Sequence, residues 1–162
     1  MKIAVMSDSH DNIWNIEKAL KKAQVADALV FCGDLCAPFS LKMLADGFGG
    51  PIHAVRGNND GDVALLLRVA GQSGRVRFYT EALAEVELGG GKIAIAHYAH
   101  VGNAVAPSGK YDAVFFGHTH QKVKRWEGAT LVLNPGEVMG RFGTPSFALY
   151  DTDTHDAEFV EF

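Results

Sequence analysis

Five segments of the chain share one arrangement: Asp8-Ser9-His10, Gly33-Asp34, Gly57-Asn58-Asn59-Asp60, His97 and Gly117-His118-Thr119-His120. In each, an apolar run leads into a carboxylate, amide or imidazole beside a glycine or another turn-forming residue. Carboxylate oxygen, amide oxygen and imidazole nitrogen together suit hard and borderline divalent cations such as Mn, Fe, Zn or Ni. Asp8, His10, Asp34, Asn58, His97, His118 and His120 are seven candidate ligands, more than one ion needs. Two ions ~3.5–4 Å apart that share a carboxylate can clamp the attacking and departing oxygens of a phosphoryl transfer. The mixture therefore points to a two-metal hydrolase. Each residue alone has a plainer reading: Asp8 or Asp34 would be a helix cap or turn residue, and His97 a hydrogen-bonded core histidine. It is their joint occurrence that argues for a metal site. His53 and His155 fit no such segment and are read as surface or structural residues.

Convergence of these segments requires a sheet that carries them on one edge. The apolar runs Lys2–Met6, Ala28–Cys32 and Ile52–Val55 read as strands alternating with helical patterns, as in a βαβ sheet. Ile13, Ile16, Leu20 and Ala23 share one helical face, and a second helix is expected over roughly residues 38–45. From Arg75 onward the pattern becomes mostly strands, including a hairpin around Gly89-Gly90-Gly91. Two sheets face to face, with helices on their outer faces, are the expected arrangement. Ligands of open α/β sheets sit beyond the carboxyl ends of strands, where the five segments fall. The Tyr98–Lys110 stretch is read as a lid or short helix, and Asp60–Ala70 as a pocket wall. No linker or repeat divides the chain, so residues 1–162 are expected to form one domain.

The 162 residues are 48% hydrophobic and 21% charged, which are globular proportions. A formal net charge of −4 and a pI near 5.9 argue against holding nucleic acid or anionic membrane by bulk positive charge. The Lys122, Lys124 and Arg125 patch is small, so nucleic acid is expected only as a substrate. A small phosphate ester and a second copy of the chain remain as candidate partners. No apolar run reaches the ~18 residues of a membrane span, and Met1–Met6 is too short for a signal-peptide core, so a cytoplasmic address is expected. The Cys32-x-x-x-Cys36 spacing matches no usual zinc or redox pattern and reads as reduced core or near-site thiols.

In order, D-x-H, G-D, G-N-x-D, a lone histidine after a strand, and G-H-T-H resemble the motifs of the calcineurin-like metallophosphoesterases, and the short length is similar to their small bacterial and archaeal phosphodiesterases. The resemblance runs from Asp8 to about Gly136, where Asn134-Pro135-Gly136 matches a family turn. It implies a four-layer αββα sandwich of two mixed β-sheets flanked by helices. It also implies that Asp8, His10 and His120 bind one metal and Asn58, His97 and His118 the other, with Asp34 bridging. Mn is favoured, with Ni, Fe, Zn and Mg as alternatives. The implied nucleophile is a water or hydroxide bridging the metals, its pKa lowered toward ~7 for in-line attack on phosphorus. His118 and His120 would share a face in a regular strand, so their turn must break regularity, with Gly117 as the candidate hinge.

Four further residues carry expectations. Arg56 is read either as a bidentate phosphate contact or as an ion pair with Asp60 or Asp62. Asn59 stands where many phosphomonoesterase relatives have a histidine that protonates the leaving oxygen. An amide cannot transfer that proton, so diesters with good leaving groups are expected to be preferred over alkyl monoesters. Tyr98 follows His97 where relatives usually have glycine, and would narrow the site. His100 is then either a replacement acid or an exposed loop histidine. The rival reading is a non-catalytic scaffold, as one eukaryotic relative serves a coat complex with degraded metal chemistry. All seven ligand positions here hold metal-competent residues, which favours catalysis.

Overall fold

Beyond Lys2, the first two strands of the chain are wholly apolar and buried because both of their faces are covered. In the computed structural model, which describes residues 1–162, β1 (Lys2–Met6) turns Ile3 and Val5 to one side and Ala4 and Met6 to the other, all buried. The elements that follow are α1 (Ile13–Ala23), β2 (Ala28–Phe31), α2 (Pro38–Gly47), β3 (Ile52–Val55), α3 (Val63–Ser73) and β4 (Val76–Tyr79). Then come β5 (Leu83–Leu88), β6 (Gly91–Ala96), α4 (Ala99–Val105), a 3₁₀ turn (Ala106–Ser108), β7 (Ala113–Phe115), β8 (Lys122–Glu127), β9 (Thr130–Pro135), β10 (Ser146–Asp151) and β11 (Asp156–Glu161).

One sheet runs β11-β10-β1-β2-β3-β4 and the other β5-β6-β7-β9-β8. β1 to β4 are parallel, as are β6, β7 and β9, while antiparallel strands close the remaining positions. The helices α1, α2 and α3 cover the outer face of the first sheet through Ile16, Leu20, Leu41, Leu44 and Leu66. Between the sheets Ile3, Val5, Val30, Ile93, Ile95, Phe115, Leu133 and Tyr150 form the central core. The 3₁₀ turn and α4 pack on Ala94, Val114 and Val132 of the second sheet's outer face. The architecture is the expected αββα sandwich. Phe115 and Tyr150 meet edge to face at 5.3 Å across the two sheets, each such burial contributing roughly 1.5–3 kcal/mol.

Local chemistry sets the helix ends. Asn12 accepts from Asn15 N to start α1, and Asp62 accepts from Leu65 N to start α3. Asp11 reaches across to accept from Ala37 N and Ser40 Oγ at the start of α2. The expected wall over residues 60–70 is largely helix: Leu66 and Ala70, one turn apart, are its buried residues, while Leu65 and Leu67 stay exposed. Of the two readings of the Tyr98–Lys110 stretch, short helix is the observed one. The basic residues of β8 are engaged, Lys122 with Glu161, Lys124 with Asp156 and Arg125 with Glu127. His53 bonds the Tyr79 hydroxyl and His155 that of Tyr150, away from the strand ends that carry the motifs. No helix is long and apolar enough to cross a membrane.

Candidate metal centre

The loops after β1, β2 and β3 of one sheet and after β6 and β7 of the other meet at one edge of the sandwich. Backbone bonds lace them together: Asp8 N donates to Gly33 O, His10 N to Asp34 O, and Gly117 N to His97 O. Five of the seven candidate ligands, Asp8, His10, Asp34, His118 and His120, have left-handed φ between 43° and 68°. Such conformations cost a non-glycine residue roughly 1–2 kcal/mol each, and clusters of them mark functional sites. The irregular turn at 118–120 lies in the two histidines themselves. Gly117 supplies space instead, since a Cβ there would lie 1.9 Å from Ser7 Oγ, and one on Gly57 would lie 2.2 Å from Asp34 Oδ1.

These loops bring all seven side chains together. His10 Nε2 and His120 Nε2 lie 3.9 and 3.5 Å from Asp8 Oδ1, with the two imidazoles stacked at 5.1 Å. Beside them, Asn58 Oδ1 lies 2.9 Å from both His97 Nε2 and His118 Nδ1, which are 3.3 Å apart. Asp34 Oδ2 stands between the groups, 3.6 Å from His10 Nε2 and 3.5 Å from His97 Nε2.

Two imidazoles have their outward nitrogen held by an acceptor: His97 Nδ1 faces the Cys32 carbonyl at 2.8 Å and His120 Nδ1 faces Glu137 Oε2 at 2.7 Å. That fixes their tautomer with a lone pair on Nε2, aimed inward. His10 Nδ1 lies 3.6 Å from Cys36 Sγ. His97 Nε2 and Asn58 Oδ1 are then two acceptors in contact, an arrangement a cation satisfies and a hydrogen bond does not. Asp8 Oδ1 and His10 Nε2 are buried without any hydrogen-bond partner, which native interiors rarely tolerate. The residues present thus fit divalent cations in both chemistry and unsatisfied valence.

The electrostatics agree. Burial pushes the Asp8 carboxyl up to about 7, opposed by hydrogen bonding from Ser7 and by the nearby His120 imidazole, while Asp34 adds to the rise. Burial also lowers His10 and His97, keeping both neutral and able to ligate.

Two supporting residues lie outside the set of candidate ligands. Asp60 accepts from Gly57 N and Asp34 N with Oδ2 and from Cys36 N with Oδ1, fastening the β2 and β3 loops to each other. Glu137 is 1% exposed. Besides His120 Nδ1 it accepts from Phe142 N and Gly143 N through Oε1. Its position directly after the Asn134-Pro135-Gly136 turn was the available signal. Asn134 itself donates to Gly117 O and Thr119 Oγ, bracing the histidine turn. Glu137→Ala is expected to weaken Mn affinity about 10–100-fold, measured by calorimetry. An unchanged affinity would show that His120 needs no such brace.

The three residues read as catalytic have separate fates. Asn59 turns inward, its N and Nδ2 donating to Asp34 Oδ1 and Oδ2 at 2.7 and 2.8 Å. Arg56 is exposed and forms no ion pair; Asp60 and Asp62 are engaged with backbone amides. It lines a depression of about 340 Å³ with Asn58, His97 and Tyr98. His100 is exposed on α4 and touches Tyr98 at 5.4 Å, and Tyr98 in turn stacks edgewise on His97 and His118 at 5.1 and 4.9 Å. No hydrogen bond joins His100 to the seven.

The chain belongs to the calcineurin-like phosphoesterase superfamily, whose domain model matches residues 1–155. A phosphodiesterase of Methanocaldococcus jannaschii is 34% identical over 158 residues, 94% of each chain. The solved structure of an archaeal phosphodiesterase matches with a TM-score of 0.92 at 31% identity, covering both chains in full. A phosphoesterase from E. coli (TM-score 0.66, 21% identity, 99% of each chain) and zinc-complexed Vps29 from Entamoeba histolytica (0.68, 18%, 99% of each chain) share the fold alone.

Proposed function

We propose that this chain is a dinuclear metal-dependent phosphodiesterase, one domain over residues 1–162. The observation that carries the reading is Asp34 Oδ2, set between His10 Nε2 and His97 Nε2 with a cluster of acceptors on either side. Asp8, His10 and His120 would hold one ion, Asn58, His97 and His118 the other, and Asp34 both. The oxygen and nitrogen donors, with no thiolate among them, favour Mn and also admit Ni, Fe, Zn or Mg. When bound, such a pair supplies Lewis acidity and an activated water for in-line displacement at phosphorus.

The chain's own groups then set the substrate. Asn59 holds both oxygens of Asp34 and offers no transferable proton. Arg56, free of any ion pair, is available to a phosphate oxygen. His100 stands behind Tyr98, so a leaving group here departs with little protonation, which suits aryl and other activated diesters. The free thiols Cys32 and Cys36 fit a reducing, cytoplasmic setting.

Reconstitution with Mn, Ni, Zn or Mg against matched mono- and diesters tests this. Diester turnover should exceed alkyl monoester turnover by about 10²-fold, the usual worth of a general acid. A strong monoester preference would sink the assignment, and no turnover with any metal would favour the scaffold reading. Slower turnover in His100→Ala at full metal content would give His100 a catalytic role after all.

A further inference from the structure

Phe142 is 71% exposed, yet it is not carried on a loose loop. Its amide N donates to Glu137 Oε1 at 2.5 Å and that of Gly143 to the same oxygen at 3.0 Å. The root of the segment is tied as well: Val138 N donates to Ser7 O, Met139 N to Asp8 O, and the Asn12 and Asn15 amides to Met139 O. A buried carboxylate thus fixes at once the ring of His120 and the backbone that presents Phe142. The Phe142 ring meets the His120 ring edgewise at 5.2 Å, and the Arg141 guanidinium lies 5.6 Å from its centroid. Holding a phenyl group in water gains nothing for folding, since exposed apolar area is not removed from solvent.

The surroundings say what the ring is placed for. Two depressions flank the candidate centre, one of about 340 Å³ containing Asn58 and His97, the other of about 520 Å³ containing His118, Thr119, His120, Gln121 and Phe142. A diester whose phosphorus lies between them has two arms to accommodate. The first depression presents Arg56 and Tyr98, whereas the second has Phe142 as its one apolar wall, with a cation beside it. An aromatic face next to a guanidinium selects flat π-systems over aliphatic groups of equal size.

We propose that Phe142 and Arg141 form an aromatic subsite, and that the substrate is a phosphodiester with one planar aromatic or heteroaromatic arm stacked on Phe142. This rests on the phosphodiesterase reading above but is tested by binding, which needs no turnover. The probes are methyl benzylphosphonate and methyl cyclohexylmethylphosphonate, monoanionic diester analogues that differ only in whether the ring is aromatic. Their dissociation constants are measured by calorimetry on the Mn-loaded protein.

The wild-type protein should bind the benzyl compound about fivefold more tightly, the scale of one aromatic pair beyond area burial. Phe142→Leu, which keeps the apolar bulk, should bring the ratio to about one, and Phe142→Trp should keep or enlarge it. A ratio near one in the wild type, or a wild-type ratio in Phe142→Leu, overturns the subsite. Failure of diester hydrolysis would overturn the phosphodiesterase reading instead, and leave the binding ratio readable. Because the side chain is exposed, none of these substitutions endangers the fold.

Discussion

Replacing Asp34 by Asn should lower phosphodiester turnover by about 10³-fold and leave the chain with at most about one tightly held metal. The geometry makes this position more costly than its neighbours. Asp34 Oδ2 is the one oxygen within 3.6 Å of a histidine from each ligand cluster, so loss of its charge affects both sites together. The asparagine is of equal size and can still accept from Asn59 N, while the exposed Asn59 amide gives up its bond to Oδ2 and can turn to water, so the loop conformation should persist. Folding is not expected to suffer, because Asp34 is a buried negative charge that raises the Asp8 carboxyl. Metal-free Asp34→Asn should therefore melt no lower than the metal-free wild type. Metal content after gel filtration and kcat on an aryl diester are the two measurements. Two retained ions with turnover within about threefold of wild type would remove Asp34 from the bridging role.

The same comparison explains why some of the site could be read from the sequence and some could not. The five segments were legible because each pairs a metal-competent residue with a turn at the end of an apolar strand, a pattern visible within four residues. The sandwich was legible because strands covered on both faces lose their polar positions, as Ala28–Phe31 does. What escaped depends on contacts that spacing does not encode. Asp60 acts through the backbone amides of Asp34 and Cys36, about 25 residues away in the chain, and Glu137 acts on an imidazole 17 residues before it. The tautomer of His97 is set by the carbonyl of Cys32, a group every residue possesses. Asn59 was legible as the absence of an acid, but its hold on Asp34 was not. Helix α3 was hidden because the unbroken apolar run Val63–Leu67 masks the Leu66 and Ala70 face that is buried. The strain was equally invisible: nothing in the letters D, H, D, H and H announces a left-handed backbone at residues 8, 10, 34, 118 and 120.

Metal affinity should fall by about tenfold for each pH unit below about 7 and level off above it. Asp8 is the source of this dependence. In the folded, metal-free chain burial lifts its carboxyl to about 7, against 3.8 as the ordinary value. The folded state therefore keeps a proton that the unfolded state has released. A raised carboxyl contributes stability below its unfolded pKa and loses it as pH rises toward 7, so the metal-free protein is penalised there for an unpaired buried carboxylate. His10 and His97 act in the opposite sense. Burial lowers them below 6.5, so they favour the folded state above that pH and weaken it below. For metal binding the two effects combine, because the site needs an ionised Asp8, while burial already keeps His10 and His97 neutral. From Asp8, binding at about pH 6 should thus release about one proton, and at about pH 8 close to none. Calorimetry in buffers of different ionisation heat reads that number directly. The gap in Tm between Mn-loaded and chelator-treated protein should widen as pH rises to about 7 and then stay constant. An affinity that does not change across this range would mean that Asp8 is already ionised before the metal arrives, and that an ionised ligand set rather than a held proton is the resting state of the site.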